Sequence, residues 1–241
     1  ASVSDSLISI SKAVSDDVQL YLRDNPVERS RPLNFSWFHL GADVENSGPS
    51  TGFPDDSDAT LKLLDKRISF LSVGTIEPRK GHAQTLAAFD LLWAKGADIN
   101  FVIVGKKGWL VEELIAKIKC HAELGKRLFW LDSITDEYLE KVYSVSSCLI
   151  AASEGEGFGL PLIEAAQYSI PILARDMTVF REVAGENAFY FIGTEAISLA
   201  TSIRKWLVLY EKQQQPPSEP INWLTWKESA ENLLQCIDVE L

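Results

Sequence analysis

The chain has 241 residues, 46% of them hydrophobic and 24% charged, with 34 acidic against 23 basic side chains and a formal net charge of −11. That balance excludes a disordered or fibrous chain and fits one large domain, or one domain with appendages. The acidic excess, with a pI near 4.8, argues against nucleic acid as a partner, because a phosphate backbone would be repelled.

A strand-like run, DSLISI (5–10), opens the chain, and Ser11 is a suitable N-cap for a helix from Lys12 to about Arg23 that Asn25-Pro26 stops. A second strand-like run, Phe35–Leu40, leads into a Gly, Ser, Asp and Pro-rich loop from Gly41 to about Pro54. From Ile68 the pattern is regular. Apolar runs at 68–73, 101–104, 128–131, 148–152, 171–174 and 188–192 predict strands, and amphipathic stretches at 81–95, 109–124, 135–146, 160–168 and 178–184 predict helices. In the first of these helices Leu86, Phe89, Leu92 and Trp93 share a face. Strands that are apolar throughout and alternate with helices predict a Rossmann-like, doubly wound parallel sheet covered on both sides. A helix over about 195–212, a linker-like QQQPPSEP (213–220) and a last helix over 227–238 complete the chain.

Cys120, Cys148 and Cys236 are widely spaced and odd in number, a poor disulfide framework. Cys148, in the apolar SSCLIAA, reads as a buried reduced thiol and so suggests a reducing, cytoplasmic setting. No run approaches the roughly 20 apolar residues of a membrane span, and the N-terminal residues lack the pattern of a secretion signal.

Two loops follow strands at the end of the sheet where open α/β folds bind ligands. In Gly74-Thr75-Ile76-Glu77-Pro78-Arg79-Lys80-Gly81, a glycine permits close backbone approach, and two cations stand where a helix begins. Arginine grips phosphate through two donors and lysine acts as a mobile point charge. The plain alternative is a solvated basic turn. In Ser153-Glu154-Gly155-Glu156-Gly157-Phe158-Gly159-Leu160-Pro161-Leu162-Ile163-Glu164, three glycines in five positions expose backbone N–H groups, and Pro161 suits a first helical turn. Glu164 lies about one turn inside that helix, where a carboxylate accepts hydrogen bonds from a ribose diol; Glu156 stands at the loop tip, free to meet a sugar. The plain alternatives are a Ser153-x-x-Glu156 capping box and a Glu164 that merely favours the helix dipole. The DxD of Asp56-Ser57-Asp58 reads as a solvated loop, and His39, His82 and His121 are isolated and lack metal-ligand spacing.

The segment EGFGLPLIE (156–164) is the E-x7-E motif of the retaining GT-B glycosyltransferases of the family-four type, and GTIEPRKG (74–81) resembles their phosphate loop. LARDMTVFREVAGEN (173–187), SKAVSDDV, FHLGAD and the terminal WKESA are similar to further features of the family. The resemblance implies the C-terminal, donor-binding half of a GT-B fold. It implies catalytic roles for Arg79 and Lys80, which would neutralise the leaving diphosphate, and for Glu156 at the donor sugar. Gly157, Phe158, Gly159 and Leu160 would line the sugar and phosphate, Gly74 and Thr75 the phosphate, and Glu164 the ribose. Gly105, with Ser133 and Ile134 beside Asp132, would lie near the base. Some members carry arginine where this chain has Thr75. The family implies no metal and no cofactor, the nucleotide diphosphate sugar being the substrate; the 173–191 stretch resembles bacterial mannosyl- and rhamnosyltransferases, favouring a GDP-sugar over a UDP-sugar.

On this reading residues 1–30 are the last strand and helix of an acceptor domain, 31–66 a linker and lead-in strand, 67–212 the donor domain, and 213–241 a linker and crossing helix. The expected reaction of the intact protein is retaining transfer of mannose or a deoxyhexose to a polysaccharide or lipid-linked acceptor. That protein would be cytoplasmic, or peripheral at the inner face of the membrane. The chain alone is expected to be a fragment that binds donor without transferring. A non-catalytic nucleotide-sugar module and a GT-B-like epimerase are the alternatives.

Overall fold

The computed structural model describes residues 2–43 and 50–238. Six parallel strands form the main sheet: β3 (Ile68–Val73), β4 (Ile99–Val104), β5 (Leu128–Leu131), β6 (Cys148–Ala151), β7 (Ile172–Arg175) and β8 (Phe189–Phe191), in the order β5-β4-β3-β6-β7-β8. The chain builds outward from β3 in one direction, then returns to pair β6 against the other edge of β3, with Phe70 opposite Cys148. This reversal is the topological switch point, the position in an open α/β sheet beside which ligands bind.

Alternate side chains of the strands feed two cores, one on each face, as a period of two requires. Phe70, Phe101 and Ile103 point to one side, Leu71, Val102 and Val104 to the other. Helices α3 (His82–Trp93), α4 (Glu112–Lys119) and α8 (Ala196–Glu211) close the first face. There Phe89 stacks on Phe101 at 4.8 Å, and Phe70 meets Phe89 and Trp206 edge-on at 5.6 and 5.1 Å. Leu86, Phe89, Leu92 and Trp93 are all buried, as their shared face predicts. The second face is covered by α2 (Ser57–Asp65), α5 (Asp136–Ser144), α6 (Leu160–Gln167) and α7 (Thr178–Ala184), which supply Leu64, Tyr138, Tyr143, Leu162 and Phe180.

Helix α2 was not expected. Asp56-Ser57-Asp58 is therefore no solvated loop: Asp56 occupies the N-cap position, Ser57 and Asp58 form the first turn, and Leu64 is fully buried. The helix is held by its apolar face rather than by a side-chain cap. Of the loop expected from Gly41 to about Pro54, residues 44–49 lie outside the described residues.

A smaller unit stands beside the sheet. Strands β1 (Ser6–Ser9) and β2 (Asn34–Trp37) pair in parallel through the crossover helix α1 (Lys12–Asp24), whose Ser11 cap accepts from the Val14 amide as expected. The last helix, α9 (Trp226–Asp238), returns to β2: the Ser229 hydroxyl donates to the His39 carbonyl at 2.7 Å. Gly41 lies so near the start of α9 that a Cβ there would stand 2.4 Å from the Trp226 backbone.

Candidate functional site

The β3 loop leaves the sheet at Gly74, whose φ of +137° suits glycine, turns once through a short 3-10 segment (Pro78–Lys80), and reaches α3 through Gly81 at φ +70°. A Cβ on Gly81 would sit 2.2 Å from the Ala152 carbonyl oxygen, so the β3 and β6 loops touch through backbone. They are also joined by a hydrogen bond from the Glu154 amide to the Arg79 carbonyl, 2.7 Å.

Across this seam the charged side chains meet. Lys80 Nζ is 2.6 Å from one oxygen of Glu156, and Arg79 Nη1 is 3.1 Å from the other. Arg79 also donates to the Gly155 carbonyl at 2.9 Å and to Glu77 at 3.0 Å, and the Ser153 hydroxyl donates to Glu156 at 2.6 Å. The place of Glu156 in the sequence predicts a carboxylate free at the loop tip; instead its side chain is only 12% exposed and bridges both cations. The physical reason is charge. Two cations 76 and 77 residues upstream converge on one switch point, and the nearby carboxylate balances them. The Ser153-x-x-Glu156 spacing marked a true side-chain contact, though no helix begins there.

Behind them the glycine loop enters α6. Gly159 takes φ +106°, and a Cβ there would press to 3.0 Å from the Phe180 ring. Gly157 lies under Ile10, and its carbonyl accepts from the Ser11 hydroxyl at 2.8 Å, so the smaller unit grips this loop. Phe158 is buried with its ring 5.0 Å from His39. Glu164 accepts from the Tyr143 hydroxyl at 2.6 Å. Burial pushes the Glu164 carboxyl up from its ordinary value, the Tyr143 bond opposes this, and the Asp136 charge adds to it.

Gly105 closes the site on the β4 side. Its φ is +155°, a Cβ would stand 2.0 Å from the Gly74 oxygen, and its carbonyl accepts from Trp130 at 2.9 Å. Thr75 is exposed on the β3 loop beside it. Ser133 is exposed at φ +55°, whereas Ile134 packs partly against the core. Ser50 and Gly52 fasten this loop through Asp136 and Glu137, each at 2.8 Å.

Several residues of the site were missed in the sequence. Tyr143 donates to Glu164 from α5. Glu182 caps α1 from α7 by accepting from the Lys12 and Ala13 amides at 2.8 and 2.7 Å, and from His39 at 2.7 Å. Its signal is only a carboxylate near a chain reversal. His82 is buried with Nε2 3.4 Å from the Ser72 hydroxyl and Nδ1 unpartnered, and burial, with the Lys80 charge, lowers its pKa to about 4. Among the described residues no group of three or more His, Cys, Asp or Glu is gathered as for a metal ion, and no helix is long and apolar enough to cross a membrane.

Fold and site together define an α/β domain whose switch point brings together two cations, the carboxylate that pairs with them and a glycine-rich helix entrance. The model of the family described as glycosyl transferases group 1 matches residues 55–219, and the chain belongs to that family. It is 51% identical over 237 residues to the serotype-specific mannosyltransferase WbdA of Escherichia coli, covering 98% of this chain and 29% of that protein. The chain thus spans under a third of the length of these relatives. The O-antigen chain mannosyltransferase B of E. coli is 32% identical over 120 residues, 48% of this chain and 30% of that protein. Among solved structures, Anabaena Alr3699/HepE in complex with UDP and glucose aligns with a TM-score of 0.71 at 15% identity, covering 98% of this chain and 63% of that one. Sucrose-phosphate synthase from Thermosynechococcus elongatus aligns with a TM-score of 0.69 at 21% identity, covering 98% and 58%. At these identities the two structures establish the fold, a GT-B-type Rossmann-like half.

Proposed function

We propose that these residues form the donor-binding half of a retaining mannosyltransferase that takes a GDP-sugar and extends a polysaccharide or lipid-linked saccharide. The observation that carries this reading is the meeting of Arg79, Lys80 and the 155–159 loop at one switch point. In this reading the donor diphosphate lies between the loops and competes with Glu156 for the two cations. Displaced from Lys80, the Glu156 carboxylate turns to the sugar. The backbone amides of Gly157, Phe158, Gly159 and Leu160 face the sugar and phosphate, with Thr75 beside them. The free oxygen of Glu164 takes the ribose hydroxyls, and the base lies against Gly105, Ser133 and Ile134. As the glycosidic bond breaks, Arg79 and Lys80 stabilise the negative charge gathering on the diphosphate, the service a metal ion gives in other sites. The 51% identity to mannosyltransferases of E. coli supports the sugar.

Beside the donor loops stands the small β1–α1–β2 unit, and the chain spans 29% of the length of the mannosyltransferase WbdA of Escherichia coli. We therefore propose that the 241-residue chain binds donor without transferring it. Calorimetry with GDP, UDP and GDP-mannose tests the donor, and a sugar-transfer assay tests the second statement. GDP and GDP-mannose should bind and UDP more weakly. UDP binding tighter than GDP would overturn the assignment of the base, and robust turnover by the chain alone would overturn the fragment reading.

A further inference from the structure

Arg175 ends β7, and its side chain is buried behind the two loops, with the residue 7% exposed. Its guanidinium donates to the Ser153 carbonyl at 2.8 Å and to the Ala152 carbonyl at 2.9 and 3.2 Å. It also donates to the Gly193 carbonyl and to the Gln84 side-chain oxygen on α3, and its plane lies 5.1 Å from the Phe191 ring. All these acceptors are neutral. Desolvation therefore falls on a cation that no carboxylate pairs by hydrogen bond, and its pKa is drawn below the usual arginine value, with the Glu154 charge opposing.

The residues it holds form the seam. Ala152 offers the carbonyl against which Gly81 packs. Ser153 donates to the carboxylate that pairs with Lys80, and the Glu154 amide ties to Arg79. A single rigid fork thus fixes the first two of three consecutive residues on which both loops depend, and it brings a buried positive charge one residue from the Lys80–Glu156 pair. A packing residue alone would be apolar here, because burying an unpaired cation is unfavourable.

We propose that Arg175 is a positioning residue of the donor site: its fork sets the Ala152–Glu154 seam, and its charge, hydrogen-bonded to no carboxylate, adds to the field that holds the donor diphosphate. The inference rests on the reading of Arg79 and Lys80 as the diphosphate cations.

The test compares Arg175→Lys, which keeps the charge and loses the fork, with Arg175→Gln, which loses both. Calorimetry would measure GDP affinity, an NMR titration guanosine affinity, and a thermal melt the fold. Arg175→Lys should weaken GDP about tenfold and Arg175→Gln further, with guanosine binding unchanged in both. Equal GDP affinity in folded Arg175→Lys and wild type, or guanosine and GDP weakened alike, would overturn the proposal and leave a structural role. Should Arg175→Gln fail to fold, Arg175→Lys against wild type decides alone. Arg79→Ala serves as the control: if it leaves GDP affinity unchanged, the diphosphate reading itself fails and the inference with it. If Arg79→Ala weakens GDP while Arg175→Lys does not, only the role of Arg175 is lost.

Discussion

One oxygen of Glu164 already accepts from the Tyr143 hydroxyl, which leaves the other for a ligand. Tyr143 is itself buried and stacks face to face on Tyr168 with ring centroids 5.1 Å apart, so its hydroxyl is held in place. Because that bond favours the charged carboxylate, Tyr143→Phe should raise the Glu164 pKa further. A protonated Glu164 accepts less well, so GDP affinity in the variant should begin to fall at a higher pH on acidification than in wild type. A calorimetric pH series checks this, and superimposable profiles would contradict it. At Glu156 the expectation has the opposite sign. Glu156→Gln removes the carboxylate that competes for Arg79 and Lys80, so GDP should bind about fivefold tighter, the factor of roughly 1 kcal/mol of released pairing. The 156–164 motif was legible because its residues are contiguous. The clamp on Glu156 was not, because it depends on cations brought from 76 and 77 residues away. Arg175 was still less visible, since most of its partners are backbone carbonyls, which a sequence does not distinguish.

Among the elements, α1 and α7 belong to different layers yet share one carboxylate. Glu182 closes the open amides of Lys12 and Ala13, stabilising the positive end of α1, and also meets His39. Glu182→Ala should cost about 1–2 kcal/mol, the usual loss on removing a helix cap. Hydrogen exchange should speed up at the α1 N-terminus while β3 and β4 stay protected. Uniform exchange across both regions would contradict a local latch. Strand and helix positions were largely readable here: β3 and β5 fall on the expected residues, and Ser11 caps α1. Helix α2 escaped notice because Pro54-Asp55-Asp56-Ser57-Asp58 carries loop chemistry, and only Leu61 and Leu64, facing the core, show what the segment buries.

For the molecule as a whole, the proposed donor site adjoins a buried histidine, His82, whose pKa the Lys80 charge helps to lower. The folded pKa of His82, about 4, lies below its ordinary 6.5, so the unfolded chain takes up the proton first. Stability contributed by the neutral ring is complete above pH 6.5 and is lost as the pH falls toward 4, by about 3 kcal/mol in all at 1.36 kcal/mol per pH unit. Glu164, with its raised pKa, runs the other way: its contribution is present at low pH and declines as pH rises through the folded value. Denaturation of wild type and His82→Gln across this window isolates the histidine, and the variant should lose less stability on acidification. In the proposed function Arg79 and Lys80 hold the donor diphosphate, with no need of a metal ion. Calorimetric titration of GDP in EDTA into wild type, Arg79→Ala and Lys80→Ala measures this. Binding should survive EDTA and weaken at least tenfold in each variant. GDP affinity that either variant leaves unchanged, or that EDTA abolishes, would contradict it.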